Sequence, residues 1–375
     1  MIPTPYYIVY EEKLRANLEK LKRVSEDANL KIIMAFKANA LWKTFPIIGE
    51  YFTASTASSL NEMKLSLECL GNDVHAYCPV YTDEAFPEFL KGCSHITFNS
   101  LSQYEKFRPA MELSEKKVSA GLRVNPHCSV IETDIYNPCM PGSRFGESTA
   151  NIGGKLPSGI EGLHFHALCE SSSHDLETVL HAFLEEYGHL LLQVKWLNMG
   201  GGHLITRKDY DTEHLVRIIN RIHEMYPHLE LIIEPGSAFT WQTGNLVTQV
   251  LDVVEDAGVR TAIIDASFAC HMPDCLEMPY KPAIAEALPD DSETGISYRL
   301  GGNSCLSGDF VGDWKFEKPL KAGDKLTLLD MNHYTTVKTN MFNGIQHPSI
   351  ILQSVSGELK MLRKFTYEDY RDRMD

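Results

Sequence analysis

Along the 375 residues of this chain the apolar and polar positions fall into two regimes. Short apolar runs recur at 31–36, 51–54, 74–78, 95–98, 118–124, 160–165, 194–199 and 231–234. Runs of this length bounded by polar residues predict buried strands. Between them lie stretches of helical spacing, clearest at 83–90, 101–113, 175–192 and 209–225. Eight strand–helix units predict an α/β fold, a (β/α)8 TIM-type barrel. Periodicity alone leaves a doubly wound sheet open. The interval 125–157, rich in proline and glycine, breaks the rhythm after the fifth strand and reads as a long loop, where active-site loops of barrels belong.

Past Gly236 the pattern changes to short strand-like runs at 245–254, 261–265, 295–300, 325–329, 335–338 and 349–353, separated by turns such as Lys321-Ala322-Gly323-Asp324. Helical spacing is scarce there, which predicts an all-β domain. The opening Tyr6-Tyr7-Ile8-Val9-Tyr10 has strand composition and is followed by helical spacing through Leu14, Leu18, Leu21 and Val24. That first strand has no place in a barrel, so it is expected to complete the C-terminal β domain. The expected division is a barrel at 13–242 and a β domain formed by 1–12 and 243–375.

Candidate chemistry sits at the ends of the apolar runs. Lys37 follows the first one; a buried ammonium is costly, so a lysine there is either a candidate Schiff-base nucleophile or one that snorkels to solvent. Gly200, Gly201 and Gly202 follow the seventh strand, where barrels often bind phosphate through uncovered backbone N–H groups, although a triple glycine also makes a tight turn. Glu234 ends the eighth strand and would point into the barrel mouth. His164 and His166 share one face of the sixth strand; without a cysteine or carboxylate cluster beside them no metal site is expected. Cys305 stands in Gly301-Gly302-Asn303-Ser304-Cys305-Leu306-Ser307-Gly308-Asp309, a loop composition that suits a functional thiol better than a buried one.

Composition narrows the classes. With 43% hydrophobic and 23% charged residues the chain can bury a large core. The net charge of −15 argues against nucleic acid as a partner and would suit a cationic substrate. Nine cysteines without a Cys-x-x-Cys read as free thiols in a reducing compartment. The first residues form no leader and no apolar run reaches membrane-spanning length, so a cytoplasmic protein without membrane attachment is expected.

Taken together, these residues resemble the fold type III pyridoxal-phosphate decarboxylases, whose barrels are like that of alanine racemase. Within them the chain is most similar to the branch acting on carboxynorspermidine and carboxyspermidine. The likeness rests on Thr4-Pro5-Tyr6-Tyr7, Leu163-His164-Phe165-His166-Ala167-Leu168-Cys169-Glu170, His271-Met272-Pro273-Asp274, Cys305-Leu306-Ser307-Gly308-Asp309 and Met341-Phe342-Asn343-Gly344. It implies pyridoxal 5'-phosphate as cofactor, Lys37 as the Schiff-base lysine and His166 stacked on the pyridine ring. Glu234 would face the pyridine nitrogen, while Gly200, Gly201, Gly202 and Tyr334 would hold the phosphate. Cys305 would be a catalytic thiol reaching the site of the other subunit in a homodimer with shared active sites. Asp265 matches the position that receives a distal amine in ornithine decarboxylases, and Arg144 matches a basic position on the barrel loop.

Two departures shape the expected substrate. Ser237 stands where ornithine-type enzymes carry a phosphate-binding arginine, so backbone amides must do more of that work. Leu306 stands where those enzymes have aspartate and diaminopimelate enzymes have glutamate, which disfavours both activities. Asp274 or Asp309 is the expected alternative for reading a substrate amine. The alternatives are another decarboxylase of the fold acting on diaminopimelate, ornithine or lysine, a racemase, and a catalytically silent regulator. The intact lysine and glycine loop count against the last.

Overall fold

The computed structural model describes residues 2–375 and divides into two compact units. One is 15–239; the other joins the N-terminal segment through Leu14 to Thr240–Asp375. In chain order the strands are β1 (Tyr6–Tyr10), β2 (Lys31–Ile32), β3 (Met34–Ala35), β4 (Ala54–Ala57), β5 (Asp73–Tyr77), β6 (His95–Phe98), β7 (Ser119–Arg123), β8 (Ile160–His164), β9 (Trp196–Asn198) and β10 (Glu230–Ile233). They continue as β11 (Gly244–Asp256), β12 (Val259–Ile264), β13 (Ile296–Gly301), β14 (Asp313–Phe316), β15 (Lys325–Leu328), β16 (Ser349–Gln353) and β17 (Leu359–Arg363).

Strands β2–β10 form one parallel sheet in the order β2-β10-β9-β8-β7-β6-β5-β4-β3. Because β2 and β3 are halves of a single stretch that changes partner at Ile33, the sheet returns on itself. Lys31 and Ile32 pair with Ile232 and Ile233, and Met34 and Ala35 pair with Ser55 and Thr56. The result is the eight-stranded barrel that the alternation of runs predicts. Its helices begin at side-chain caps: Ser59 accepts from the Glu62 amide (3.2 Å), Ser100 from Gln103 (3.3 Å), and Asp211 from His214 (2.8 Å). The helix Thr212–Met225 buries Leu215, Ile218, Ile219 and Ile222, a stripe at helical spacing. Inside the barrel Trp196 fills the space over two glycines; a Cβ on Gly162 would lie 1.9 Å from its ring and one on Gly121 2.2 Å.

The second strand departs from expectation, running Ala54–Ala57 rather than 51–54. Its residues, Ala-Ser-Thr-Ala, are small and weakly apolar, so the adjacent Tyr51 and Phe52 drew the assignment to themselves. Phe52 instead packs edge-on against Phe239 at 5.2 Å.

In the other unit the sheet order is β14-β13-β12-β11-β1-β16-β17, with β15 on β11. The N-terminal β1 lies between β11, antiparallel with Tyr6 opposite Val247, and β16, parallel with Tyr6 opposite Ser349. The expected pairing of the first strand with the β domain is therefore present. Leu246, Val250, Ile264, Leu300, Trp314, Phe316 and Leu328 form the core. One expected strand is absent: Thr335–Lys338 is a helical turn, entered through Tyr334 at φ +52°. β-branched Thr-Thr-Val suits a strand locally, but the left-handed Tyr334 turns the chain out of the sheet direction.

Candidate active site

Lys37, His166, the 200–202 loop and Glu234 all stand just past the C-terminal ends of barrel strands β3, β8, β9 and β10. This is the end at which barrels place their chemistry. Lys37 is open to solvent, yet surrounding protein lowers its amine below the ordinary lysine value by desolvation. The Arg123 charge adds to that lowering, and Cys169, Glu234 and Glu62 oppose it. An amine biased toward its free base is what a nucleophilic lysine requires.

Glu234 is 8% exposed, and burial raises its pKa. Its Oε1 accepts from Asn198 Nδ2 at 2.7 Å, and its Oε2 lies 3.7 Å from His164 Nε2. His164 supplies no charge, since burial holds it well below the ordinary histidine value. Neither of its ring nitrogens has a hydrogen-bond partner. A buried carboxylate is thus fixed in place beside a neutral ring.

The glycine loop is built otherwise than the sequence implies. The Gly200 amide donates to Asn198 Oδ1 (2.9 Å) and the Gly201 amide to His166 Nδ1 (2.8 Å). Two of the three N–H groups expected to hold phosphate are therefore committed to positioning neighbours. The glycines are required by close approach. A Cβ on Gly200 (φ +70°) would lie 2.4 Å from the Phe165 carbonyl, and one on Gly202 (φ +91°) 2.2 Å from that of Leu168. Among the described residues no protein acceptor takes the Gly202 amide. For His166 the bond from Gly201 places the neutral ring's proton on Nε2. Burial, aided by the Lys37 and Arg123 charges, keeps the ring well below the ordinary histidine pKa.

Arg123, at the end of β7, was not among the sequence candidates. It is 5% exposed, its guanidinium stacks between Tyr77 (4.7 Å) and Phe145 (4.5 Å), and its Nη2 donates to the His166 carbonyl at 3.2 Å. Its signal in the sequence is an arginine within Ala120-Gly121-Leu122-Arg123-Val124, where an unoccupied charge would not be tolerated. Arg144, the expected basic residue, is exposed and also lies over the Phe145 ring at 4.3 Å.

The remaining candidates belong to the β unit. Cys305 is exposed, and its amide donates to Asn343 Oδ1 at 2.8 Å. Asp265 accepts from Thr248 Oγ1 (2.5 Å) and the Gln249 amide (2.9 Å) through a single oxygen. Asp274 accepts from the Tyr280 hydroxyl at 3.0 Å, and its Oδ1 is buried without a partner. Asp309 differs from its expected role. It is 3% exposed and accepts four bonds, from Ser267 Oγ, Ala269 N, Ser304 N and Ser304 Oγ, so its carboxylate serves the loop rather than a substrate amine. Tyr334 caps the turn at Thr335–Lys338.

Two His–acid clusters lie elsewhere in the barrel unit, Asp73/His75/His95 and His174/Glu177/His214. In each the carboxylate already faces a cation. Lys31 Nζ lies 2.9 Å from Asp73, and Arg221 Nη1 lies 3.1 Å from Glu177.

Buried neutral histidines carry a pH prediction. Burial lowers His203, beside the glycine loop, to about 4 and His271, in the β unit, to about 3. Both values lie below the roughly 6.5 of an unfolded chain. Each histidine therefore contributes its full stability above pH 6.5 and loses it as pH falls toward the folded value. We expect the free energy of urea unfolding to be flat from pH 8 to 7 and to fall below pH 6.5, by about 1.4 kcal/mol per pH unit for each histidine, with the midpoint falling in step. A midpoint unchanged between pH 7 and 5 would contradict the burial of both rings.

The residues fit the cofactor that the resemblance implies. A lysine whose amine is lowered by burial, a fixed buried carboxylate and a neutral ring locked by a backbone amide are the donor set a pyridoxal group would use.

The comparisons agree. A family model described as "Pyridoxal-dependent decarboxylase, C-terminal sheet domain" matches residues 9–332. The chain is 46% identical over its whole length to 96% of the carboxyaminopropylagmatine decarboxylase of Synechocystis sp.. It is 41% identical, over 98% of both chains, to the carboxynorspermidine/carboxyspermidine decarboxylase of Campylobacter jejuni. The crystal structure of the Campylobacter jejuni carboxynorspermidine decarboxylase complexed with norspermidine superposes with a TM-score of 0.91 at 40% identity, over 99% of this chain and 100% of that one. With the strands, the lysine and the buried carboxylate in their places and the match running through both units, this chain belongs to the pyridoxal-dependent decarboxylases.

Proposed function

We propose that the chain decarboxylates a carboxylated polyamine, carboxynorspermidine or carboxyspermidine, to norspermidine or spermidine. The observation that carries the decarboxylase chemistry is Glu234, buried, fixed by Asn198 and set beside an uncharged His164. Lys37 would hold pyridoxal phosphate covalently through Nζ, Glu234 would face its pyridine nitrogen, His166 would lie against its ring, and Gly202 with Tyr334 would serve the phosphate. When bound, the cofactor supplies an electron sink for the pair released as CO2 departs. Glu234 would keep a proton at the ring nitrogen, because a buried carboxylate favours a positive hydrogen-bonding partner. Asn198 holds that carboxylate in one orientation through its 2.7 Å bond. Arg123 fixes the carbonyl of His166 and so the height of its ring.

The substrate class is supported by the relatives and by the net charge of −15, which suits a cationic ligand. Asp265 and Asp274 are the carboxylates proposed to read amines. Cys305 is proposed to deliver the proton to the carbon that loses CO2, in a homodimer with shared sites as the resemblance implies.

A second reading is favoured by the 46% identity to carboxyaminopropylagmatine decarboxylase. That substrate shares the carboxylated aminopropyl head and ends in a guanidinium. Steady-state CO2 release from carboxynorspermidine, carboxyspermidine, carboxyaminopropylagmatine, diaminopimelate, ornithine and lysine tests both. The expected result is a kcat/KM for a carboxylated polyamine above that for the last three by about a thousandfold or more, since a site with unpaired polar groups rejects a substrate lacking their partners. The guanidinium substrate leading within that group would establish the second reading. Diaminopimelate or ornithine leading would overturn both.

A further inference from the structure

One motif singled out in the sequence, Met341-Phe342-Asn343-Gly344, has no role in the reading above, and the structure places it against the Cys305 loop. The two loops share one support, the segment around the short helix Phe268–His271. On the cysteine side, the Asn303 amide donates to the Ala266 carbonyl at 3.1 Å, and Asp309 accepts from Ser267 Oγ (2.8 Å) and the Ala269 amide (2.9 Å). On the asparagine side, Asn340 donates through its amide to the Cys270 carbonyl (2.9 Å) and through Nδ2 to the Ala269 carbonyl (2.8 Å). The loops then meet directly, where the Cys305 amide donates to Asn343 Oδ1 at 2.8 Å.

The cysteine loop is closed on itself. Ser304 donates to Asp309 Oδ2 through both N (3.2 Å) and Oγ (2.6 Å), and the Asp309 amide donates to the Leu306 carbonyl at 3.0 Å. A Cβ on Gly302 would stand 2.2 Å from Asp309 Oδ2, so the turn admits only glycine there. The backbone on both sides of Cys305 is thereby tied down, while the residue remains exposed. Asn343 sits at φ +58°, ψ 13°, a left-handed conformation that asparagine tolerates better than other residues with side chains. The chain thus meets a local backbone cost at Asn343 and directs its amide oxygen onto the Cys305 N–H, which the Asp309 network does not use.

We propose that Asn343 is a positioning residue for the Cys305 thiol, acting through the Cys305 amide, with Asp309 setting the turn that carries it. The proposal rests on the reading that Cys305 takes part in the reaction.

Two variants of the full-length holoenzyme test it. Asn343→Gly removes the side chain without straining a positive φ. Its kcat should fall about 10- to 100-fold, the cost of a reacting group displaced by around an ångström. KM and the thermal midpoint should stay near wild type. Asn343→Asp keeps the acceptor for the Cys305 amide and brings a negative charge to the thiol. Peptide-resolved iodoacetamide labelling of Cys305 at pH 7.5 should slow by about three- to tenfold, since a nearby carboxylate disfavours the thiolate. A wild-type kcat in Asn343→Gly, or labelling of Cys305 unchanged in Asn343→Asp, overturns the proposal. Cys305→Ser serves as the control. Full activity there would remove Cys305 from the reaction and so fail the underlying reading, whereas the labelling experiment would still report whether Asn343 and the thiol are coupled.

Discussion

Replacing Lys37 with alanine is expected to lower turnover by about 10,000-fold or more, the scale on which losing a covalent catalytic group is felt. Lys37→Arg should be as inactive as Lys37→Ala, because arginine restores a positive charge but remains protonated and cannot act as a nucleophile. That comparison separates a lysine needed for its charge from one needed for its lone pair. The second readout is chemical. Borohydride treatment of the wild-type holoenzyme should leave the reduced cofactor on the peptide containing Lys37, located by mass spectrometry, and neither variant should carry it. Label on another lysine, or a Lys37→Arg variant with substantial turnover, would remove Lys37 from the chemistry.

Glu234→Gln should retain cofactor but lose turnover by a factor on the order of a hundred to a thousand, as when one preorganised electrostatic contact is removed. Glutamine keeps an oxygen for Asn198 Nδ2, so the 2.7 Å bond that fixes the side chain has a counterpart in the variant. What disappears is the negative charge. The loss should show equally in kcat and kcat/KM, the pattern of an interaction that strengthens only on the way to the transition state. Cofactor content, measured after alkaline release, should match wild type. Normal turnover, or failure to bind the cofactor at all, would make Glu234 a structural residue.

Lys37 and Glu234 were legible because each stands directly after an apolar run, where a charge has to be explained. Asn198 was not, because a short polar residue within a strand carries no cost that stands out in one dimension. Asn198 matters only through what it touches, the Glu234 carboxylate and the Gly200 amide. Arg123 could have been found by the argument applied to Lys37, but its run was read for strand character alone. The glycine loop was seen in the right place with an incomplete purpose. Sequence can show that three residues lack side chains, whereas which way their amides point is decided by His166 and Asn198. Asp309 was read as a candidate substrate ligand because two of its four donors, from Ser267 and Ala269, are distant along the chain and nothing local shows all four converging on it.

The central position of β1 sets a schedule for making the protein. Tyr6 leaves the ribosome roughly 340 residues before its parallel partner Ser349. At typical synthesis rates of about 5–20 residues per second, the interval is on the order of 20–70 s. Throughout that time a Tyr-Tyr-Ile-Val-Tyr strand must wait with at least one edge unpaired, a sequence of the kind that recruits other chains. Expression that outruns chaperone capacity should therefore fail through this segment first, and chains that stop short of β16 should aggregate even when the whole barrel has been made.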